Sequence, residues 1–287
     1  MRPQDVTRLF ALSAIWGASF IFIRIVAPSF GAILSAHLRV ILAGTALLFY
    51  CHFKKIDLEW QRHWRRYLFI GTLNTAVPFS LYAFAGKHIP ASYSVILNST
   101  SPLFSMIVSV LVLGEKPTLR KVLGLVTGML GVSLVIQGGG MTQSSFSGQG
   151  IVACLGAALC YGLAGVYLKQ RAQDLKPQAL AAACQIMAGL VLSPSLFFFP
   201  GWEVLTLKVG LSLMTLAFLC SGVAYLLYYR LVSDVGPTKA LTVTFLMPGF
   251  GMLWSFLFLQ EAITSSMLLG CLFILSGTFL VASPSRR

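Results

Sequence analysis

One apolar stretch of this chain carries three side chains that are suited to contacting a small polar ligand. Asn74, Pro78 and Tyr82 are four residues apart and would share one face of a helix. Trp16 and Phe20 have the same spacing in an earlier apolar stretch. Aromatic walls with a few hydroxyl and ring donors suit a zwitterion with a bulky side chain better than an inorganic ion. The alternative for Trp16 and Tyr82 is anchoring at the membrane interface.

The second half of the chain contains a comparable set of aromatic residues. Tyr161 and Gly165 are four residues apart, and Tyr225 and Tyr228 lie in a later apolar stretch. We expect Tyr161 and Tyr225 to join the first set around one cavity. Trp60, Trp64 and Tyr67 are instead predicted to be interfacial anchors.

Two prolines are predicted to lie near the middle of membrane spans. Pro102 and Pro248 each lack a backbone donor, so the helix must bend there or find another partner for a carbonyl. Asn98 and Thr244 precede them by one turn. We predict that both pairs line a central cavity; the alternative is that the prolines only shape packing, since proline is common in membrane helices.

Arg39 is a cation inside an apolar span. Such residues are costly in lipid and usually face the bundle interior or a water-filled cavity. The hypothesis is that Arg39 holds a substrate carboxylate or phosphate. The alternative is that it reaches the interface or caps carbonyls at a helix end. His37, two residues earlier, is predicted to face a different side and to be interfacial.

Acidic residues fall only in tails, turns or predicted span ends, so no buried carboxylate is available to carry protons. We therefore expect facilitated diffusion or exchange rather than proton coupling. The six cysteines have no CxxC spacing and are interpreted as packing residues. No catalytic residue, metal site or cofactor is predicted.

The elements that must position these residues are membrane helices. Of the 287 residues, 57% are hydrophobic and 10% are charged, against about 25% charged in ordinary soluble domains. The sequence predicts an all-α integral membrane protein with ten transmembrane helices. The predicted spans are 7–26, 33–51, 67–86, 91–113, 119–137, 150–168, 177–199, 209–231, 237–259 and 265–282.

The basic residues predict the orientation. With a cytoplasmic N-terminus, 17 of the 21 Lys and Arg residues lie inside, Arg39 lies within a span, and only Arg24, Lys87 and Lys208 lie outside. Both termini are therefore predicted to be cytoplasmic, in the plasma (inner) membrane. The net charge of +13 reflects this bias rather than nucleic-acid binding.

The chain is an internal duplication with an offset of 146 residues. Between Pro102 and Val135, 13 of 34 positions are identical in the copy, among them Glu115/Glu261 and Gly131/Gly277. The first spans also correspond, at an offset of 145: Trp16-Gly17 with Tyr161-Gly162, and Arg24 with Lys169.

Because each copy has an odd number of spans, the two repeats must be inverted relative to each other. The predicted units are 1–143 and 144–287, which together form one transport domain. Small residues in the fifth and tenth spans favour packing within the bundle over a dimer interface, and a monomer is expected.

These features resemble the EamA branch of the drug/metabolite transporter superfamily, and the similarity covers nearly the whole chain. The residues that carry it are Trp16-Gly17, Arg39, the stretch from Ser101 to Val132 with its Gly114-Glu115 turn, and Pro248, Glu261, Gly270 and Gly277. The resemblance implies export of amino acids or related small metabolites, with aromatic amino acids as one option. One departure is Gln185 at the position that corresponds to Arg39.

Other functions are less well supported. An intramembrane enzyme would need a constellation of catalytic groups, and a channel would need charge rings or a filter loop. A carrier of phosphorylated or nucleotide-linked metabolites would need several cations in the cavity, and Arg39 is the single candidate. The expected partners are a small-molecule substrate and the lipid bilayer.

Overall fold

The structure, a computed structural model, describes residues 2–138, 147–198, 201, 205–235, 240 and 242–282, and these contain no β-strand. Ten helical spans follow one another in the described residues. Nine of them are long and apolar enough to cross a membrane, and the exception is Val243–Leu259, a shorter apolar helix of 17 residues. They are α1 (Pro3–Phe30), α2 (Ala32–Phe53), α3 (Trp60–His88), α4 (Ala91–Leu113), α5 (Leu119–Gly138), α6 (Gly148–Arg171), α7 (Pro177–Phe198), α8 (207–235), α9 (Val243–Leu259) and α10 (Ser265–Ala282).

The all-α fold of ten spans is confirmed, although several helices extend beyond their predicted limits. α1 begins at Pro3 and ends at Phe30, and α3 begins at Trp60, so the predicted connection 52–66 shrinks to a few residues. The amphipathic segment before Tyr67 continues the helix instead of forming a loop. The predicted boundary between residues 143 and 144 lies outside the described residues, as do Glu203, Lys239, Arg286 and Arg287.

Pro102 does not lie in the middle of a continuous helix, which corrects the prediction for that residue. α4 is interrupted at Ser99–Thr100, and Pro102 lies in the first turn of the following segment, Ser101–Leu113, where its missing donor has no helical partner to lose. Pro248 lies inside α9, which continues through it. The carbonyl left free at the α4 break belongs to Ser99 and accepts a hydrogen bond of 3.0 Å from Thr278 Oγ1.

Two π-helical segments lie at corresponding places in the repeats. Thr72–Ala76 interrupts α3, and Thr215–Val223 interrupts α8. Shifting the first segment by 146 residues places it within the second. A π-turn leaves carbonyls without their usual α-helical partners and is frequent at functional sites.

Two glycines bring helices of opposite repeats into close backbone contact. At Gly17 of α1, an added Cβ would lie 2.9 Å from the Gly251 nitrogen of α9. At Gly162 of α6, it would lie 2.8 Å from the Ser105 nitrogen of α4. The two glycines occupy corresponding repeat positions, so the same close contact is made twice.

α5 and α10 pack against each other through glycines, as predicted for packing within the bundle. At Gly124 an added Cβ would lie 2.7 Å from the Gly277 carbonyl oxygen, and at Gly131 it would lie 2.6 Å from that of Gly270. Each contact is the repeat counterpart of the other. Such small residues let two backbones approach closely in lipid.

Two residues predicted to be interfacial are buried instead. His37 is 5% exposed, and its Nδ1 has no hydrogen-bond partner among the described residues. Tyr67 is also buried, and its hydroxyl donates to the Leu58 carbonyl at 2.9 Å. Packing of α2 and α3 against α7 covers both side chains, since His37 adjoins Gly189 and Tyr67 packs with Ala183 and Cys184.

Replacing Gly131 by Ala should destabilise the protein by about 1–3 kcal/mol, because the new methyl would overlap α10 backbone atoms. Gly249→Ala is the matched control, since no heavy atom lies within 4 Å of its added Cβ. Thermal unfolding in detergent measures both. Equal melting temperatures for the two variants would contradict the close-packing interpretation.

Candidate functional site

Trp16 of α1 lies against two tyrosines of α8. Its ring centroid is 6.0 Å from that of Tyr225 and 5.4 Å from that of Tyr228. The indole Nε1 donates to the Cys220 carbonyl at 3.2 Å, and Cys220 lies in the π-helical segment of α8. The irregular turn thus supplies the acceptor that fixes the orientation of the indole.

Tyr82 of α3 is the centre of a second aromatic group. Its ring centroid is 5.3 Å from that of Phe20 and 6.1 Å from that of Tyr161, which it stacks upon. The Tyr82 hydroxyl donates to Asn98 Oδ1 at 2.7 Å. Asn98 is the last residue before the break in α4, so the break and the aromatic group are held together.

The two aromatic groups are repeat counterparts. Trp16 and Tyr228 correspond to Tyr161 and Tyr82, and both pairs are in contact across the boundary between the repeats. The inverted repeat therefore provides one such aromatic pair in each of two corresponding positions.

Arg39 of α2 is 6% exposed and reaches α8. Its Nε donates to Ser221 Oγ at 2.7 Å, and its Cζ lies 3.7 Å from the centroid of the Phe79 ring. Tyr161 and Tyr225 lie within electrostatic range of the guanidinium. No acidic side chain in the part of the chain that the structure describes forms an ion pair with it. The bundle therefore holds a cation that a ring and a hydroxyl group stabilise but do not neutralise.

A cavity of about 10 Å³ adjoins Arg39, which is room for roughly one water molecule. Ile23, Ala83 and Leu216 are among the side chains that line it. Sites for small molecules usually measure about 300 Å³ or more, so an amino acid does not fit in this conformation. A small-molecule ligand at Arg39 would require the surrounding helices to separate.

The structure brings together Trp16, Phe20, Arg39, Tyr82, Asn98, Tyr161 and Tyr225 of the predicted set. Among the described residues, no side-chain hydrogen bond or ring contact joins Asn74, Pro78, Pro102 or Pro248 to this group. Asn74 lies in the π-helical segment of α3, Pro78 is buried just after it, and Pro102 follows the α4 break. Pro248 is buried in α9, and the Thr244 carbonyl accepts from Ser99 Oγ at 3.5 Å.

Sequence reasoning did not predict Phe79 or Ser221 as site residues. Ser221 is a hydroxyl in an apolar span, and its repeat counterpart is another hydroxyl, Thr75. That pairing is the signal that would have identified it. Phe79 comes directly after Pro78 in the sequence but is not one of the residues spaced by four that define the predicted face. It is one of 21 phenylalanines, so no pattern identifies it.

The two halves of the chain each match the model of the same protein family. The EamA-like transporter family matches residues 6–137 and again residues 148–283. This chain belongs to the EamA-like transporter family. It is a multi-pass membrane transporter, and the double match coincides with the two repeats predicted from the sequence.

Relatives of similar length are also transporters by name. The "Uncharacterized transporter YvbV" of Bacillus subtilis is 25% identical over 96% of this chain and 90% of the relative. The "Probable amino-acid metabolite efflux pump" of Escherichia coli is 21% identical over 98% of this chain and 95% of the relative. A solved crystal structure is similar with a TM-score of 0.65 and 17% identity, over 98% of this chain and 96% of that one, which supports the fold.

Replacing Ser221 by Ala should destabilise the EamA-like chain by about 1.5–3 kcal/mol, because a buried guanidinium loses its hydroxyl acceptor. Ser133→Ala is the control: its exposed hydroxyl bonds only to the Met129 carbonyl of its own helix, so its effect should stay within about 0.5 kcal/mol. Melting temperatures in detergent measure the difference, and equal shifts would contradict the role given to Ser221.

Proposed function

We propose that this transporter moves neutral amino acids, aromatic ones above all, through the centre of the bundle by alternating access. The observation that carries the proposal is the buried Arg39, which has no carboxylate partner among the described residues and lies beside aromatic rings. A substrate carboxylate would supply the missing counter-charge, and a guanidinium can bind it through two parallel hydrogen bonds.

The aromatic groups supply the complementary half of the site. The rings of Trp16, Tyr82, Tyr161 and Tyr225 offer apolar faces with a few polar edges. Aromatic rings pair favourably with another ring in offset or edge-to-face geometry. An amino acid with a large side chain uses both halves, with its carboxylate at Arg39 and its side chain among the rings.

We propose that transport is facilitated diffusion or exchange rather than proton coupling. A proton-coupled carrier ordinarily holds an ionisable acid along its path. The acids near the described helices lie at helix ends, as with Asp5 in the first turn of α1 and Glu115 after α4. The substrate carboxylate would pair with Arg39 on binding, and a zwitterion carries no net charge, so its passage needs no accompanying ion for charge balance.

The membrane location, orientation and oligomeric state are also part of the proposal. We propose a plasma (inner) membrane protein with both termini cytoplasmic, acting as a monomer, without nucleic-acid partners and without enzymatic activity. The excess of basic residues at one face supports the orientation. The relative named as a probable amino-acid metabolite efflux pump supports the substrate class.

A carrier of phosphorylated or nucleotide-linked metabolites is the second candidate. A phosphate group carries more charge than a carboxylate and usually meets several cations. Within the described centre of the bundle, Arg39 is the single buried cation. The observation therefore favours a singly charged anionic group.

Counterflow in liposomes tests the function directly. Purified protein should exchange labelled tryptophan or phenylalanine against unlabelled amino acid without an imposed ion gradient. Uptake that appears only under a proton gradient would contradict facilitation. Preference for phosphorylated compounds over amino acids would instead favour the second candidate.

Replacing Arg39 by Gln, the residue at the corresponding position of the second repeat, should reduce tryptophan counterflow about tenfold or more, as expected for loss of a charge-assisted hydrogen bond. Inhibition of that flux by tryptamine, which lacks the carboxylate, should be unchanged. Arg65→Gln is the control, because Arg65 is exposed and lies over the Trp64 ring. Equal loss of tryptophan and tryptamine recognition would show that Arg39 does not read the carboxylate.

A further inference from the structure

Glu261, at the turn between α9 and α10, caps the start of α4. Its Oε1 accepts from the Ala91 backbone nitrogen at 2.8 Å, and its Oε2 accepts from the Ser92 nitrogen at 3.0 Å and from Ser92 Oγ at 2.6 Å. A carboxylate at a helix N-terminus is stabilised by the free amides and by the helix dipole. This cap is unusual because its acceptor comes from the other repeat.

Arg24 of α1 completes the cluster. Its Nε lies 3.5 Å from Glu261 Oε1, and its Nη1 donates to the carbonyls of Gly86 and Ile89 at 3.1 and 2.6 Å. One arginine therefore links α1, the end of α3 and the α9–α10 turn. We call Arg24, Ala91, Ser92 and Glu261 the Glu261 cluster.

The internal repeat provides a counterpart of the Glu261 cluster at another place in the bundle, with different contacts. Glu115 corresponds to Glu261, and Lys169 corresponds to Arg24. Lys169 Nζ lies 3.1 Å from Glu115 Oε1, and Lys121 Nζ lies 3.5 Å from Oε2. The hydrogen bond from Lys169 is the largest cause that lowers the pKa of Glu115.

The two glutamates differ in how much of the side chain is exposed to solvent. The Glu261 side chain is 9% exposed and accepts three short hydrogen bonds, whereas the Glu115 side chain is 34% exposed and contacts the exposed Lys169 and the partly buried Lys121. Both carboxylates and both cations are present in the two repeats, although the Glu115 side also carries Lys121, whose counterpart is Met267. The low exposure of Glu261 and its hydrogen bonds to α4 indicate that the face that carries it is closed in this structure.

We propose that the Glu261 cluster is the gate that holds one face of the transporter closed, with Glu115 and Lys169 at the corresponding position of the opposite face. This inference rests on the alternating access of the proposed function. The cluster joins the two repeats, so any movement that separates them at this face must break its hydrogen bonds. Water can replace each of them, because every group in the cluster is polar.

The position of the cluster relative to the site supports this role. Ile23, next to Arg24 in α1, lines the small cavity beside Arg39, and so does Ala83 near the end of α3 that Arg24 contacts. The cavity wall therefore includes residues of α1 and α3 that adjoin the cluster in sequence, as well as Arg39. A movement of α1 and α3 that breaks the cluster would also move this wall.

An ordinary helix cap would stabilise the fold without controlling the entry of solvent to the cavity beside Arg39. The solvent accessibility of that cavity therefore distinguishes a gate from an ordinary cap. Ala83→Cys places a thiol on the wall of the cavity, where the present side chain is buried. The full-length protein in lipid nanodiscs exposes both faces to a membrane-impermeant maleimide. Peptide mass spectrometry then measures modification at residue 83 separately from the native cysteines.

Adding Glu261→Gln should raise the labelling rate at residue 83 about tenfold or more, as expected when charge-assisted hydrogen bonds are lost. Glu115→Gln is the matched control, because the corresponding carboxylate lies on the other face, and it should leave the rate unchanged or lower it. An unchanged rate in a Glu261→Gln protein of normal melting temperature would overturn the proposal. An equal increase in both variants would also overturn it, since it would indicate general loosening.

Arg24→Gln keeps the test decisive if the glutamate variant does not fold. It leaves the α4 cap in place and removes only the link to α1 and α3, so it should also raise the rate, by a smaller factor. The labelling experiment contains no substrate, so its outcome does not depend on which substrate the protein carries. If the unmodified protein showed no amino-acid counterflow, the proposed function would be refuted but the gate would not.

Discussion

Close backbone contact between inverted halves is the constraint on which this structure depends. Lipid supplies no hydrophobic force to drive apolar helices together, so packing and hydrogen bonds must do so. Glycines meet this requirement at Gly17 against α9, at Gly162 against α4, and at two points between α5 and α10. Each of these contacts joins the first repeat to the second. The repeats are therefore interlocked parts of one body rather than two domains placed side by side.

Irregular backbone within the bundle is tolerated where other groups use the free carbonyls. The π-helical segment of α8 presents the Cys220 carbonyl to Trp16, and the break in α4 presents the Ser99 carbonyl to Thr278. In hydrocarbon an unsatisfied backbone group is costly, so such segments persist only inside the protein. Here they also orient the aromatic side chains. The same feature thus satisfies the backbone and shapes the site.

Much of the architecture could be predicted from the sequence because it follows from hydropathy and from self-similarity. The ten spans, the inverted repeats and the glycine packing of α5 and α10 depend on composition and register, which one sequence displays. The broken α4 could not be predicted, because Pro102 alone does not show whether a helix bends at it or restarts before it. His37 was wrongly placed at the interface because burial depends on the neighbouring helix. Several aromatic residues of the predicted set lie in contact with one another at positions that the repeat relates, whereas Phe79 has no such signature in the sequence.

The pairing of contacts across the repeats has a consequence for how such a protein could arise. A half-length chain with α1 to α5 alone would leave the Gly17 and Gly131 faces uncovered, since α9 and α10 cover them here. Only a second copy inserted upside down could pack there in the same way. An ancestor encoded by a single unduplicated gene would have needed to enter the membrane in both directions. In the fused chain the two halves face opposite ways, and the α9–α10 turn has no lysine or arginine where the corresponding α4–α5 turn carries Lys116, Arg120 and Lys121.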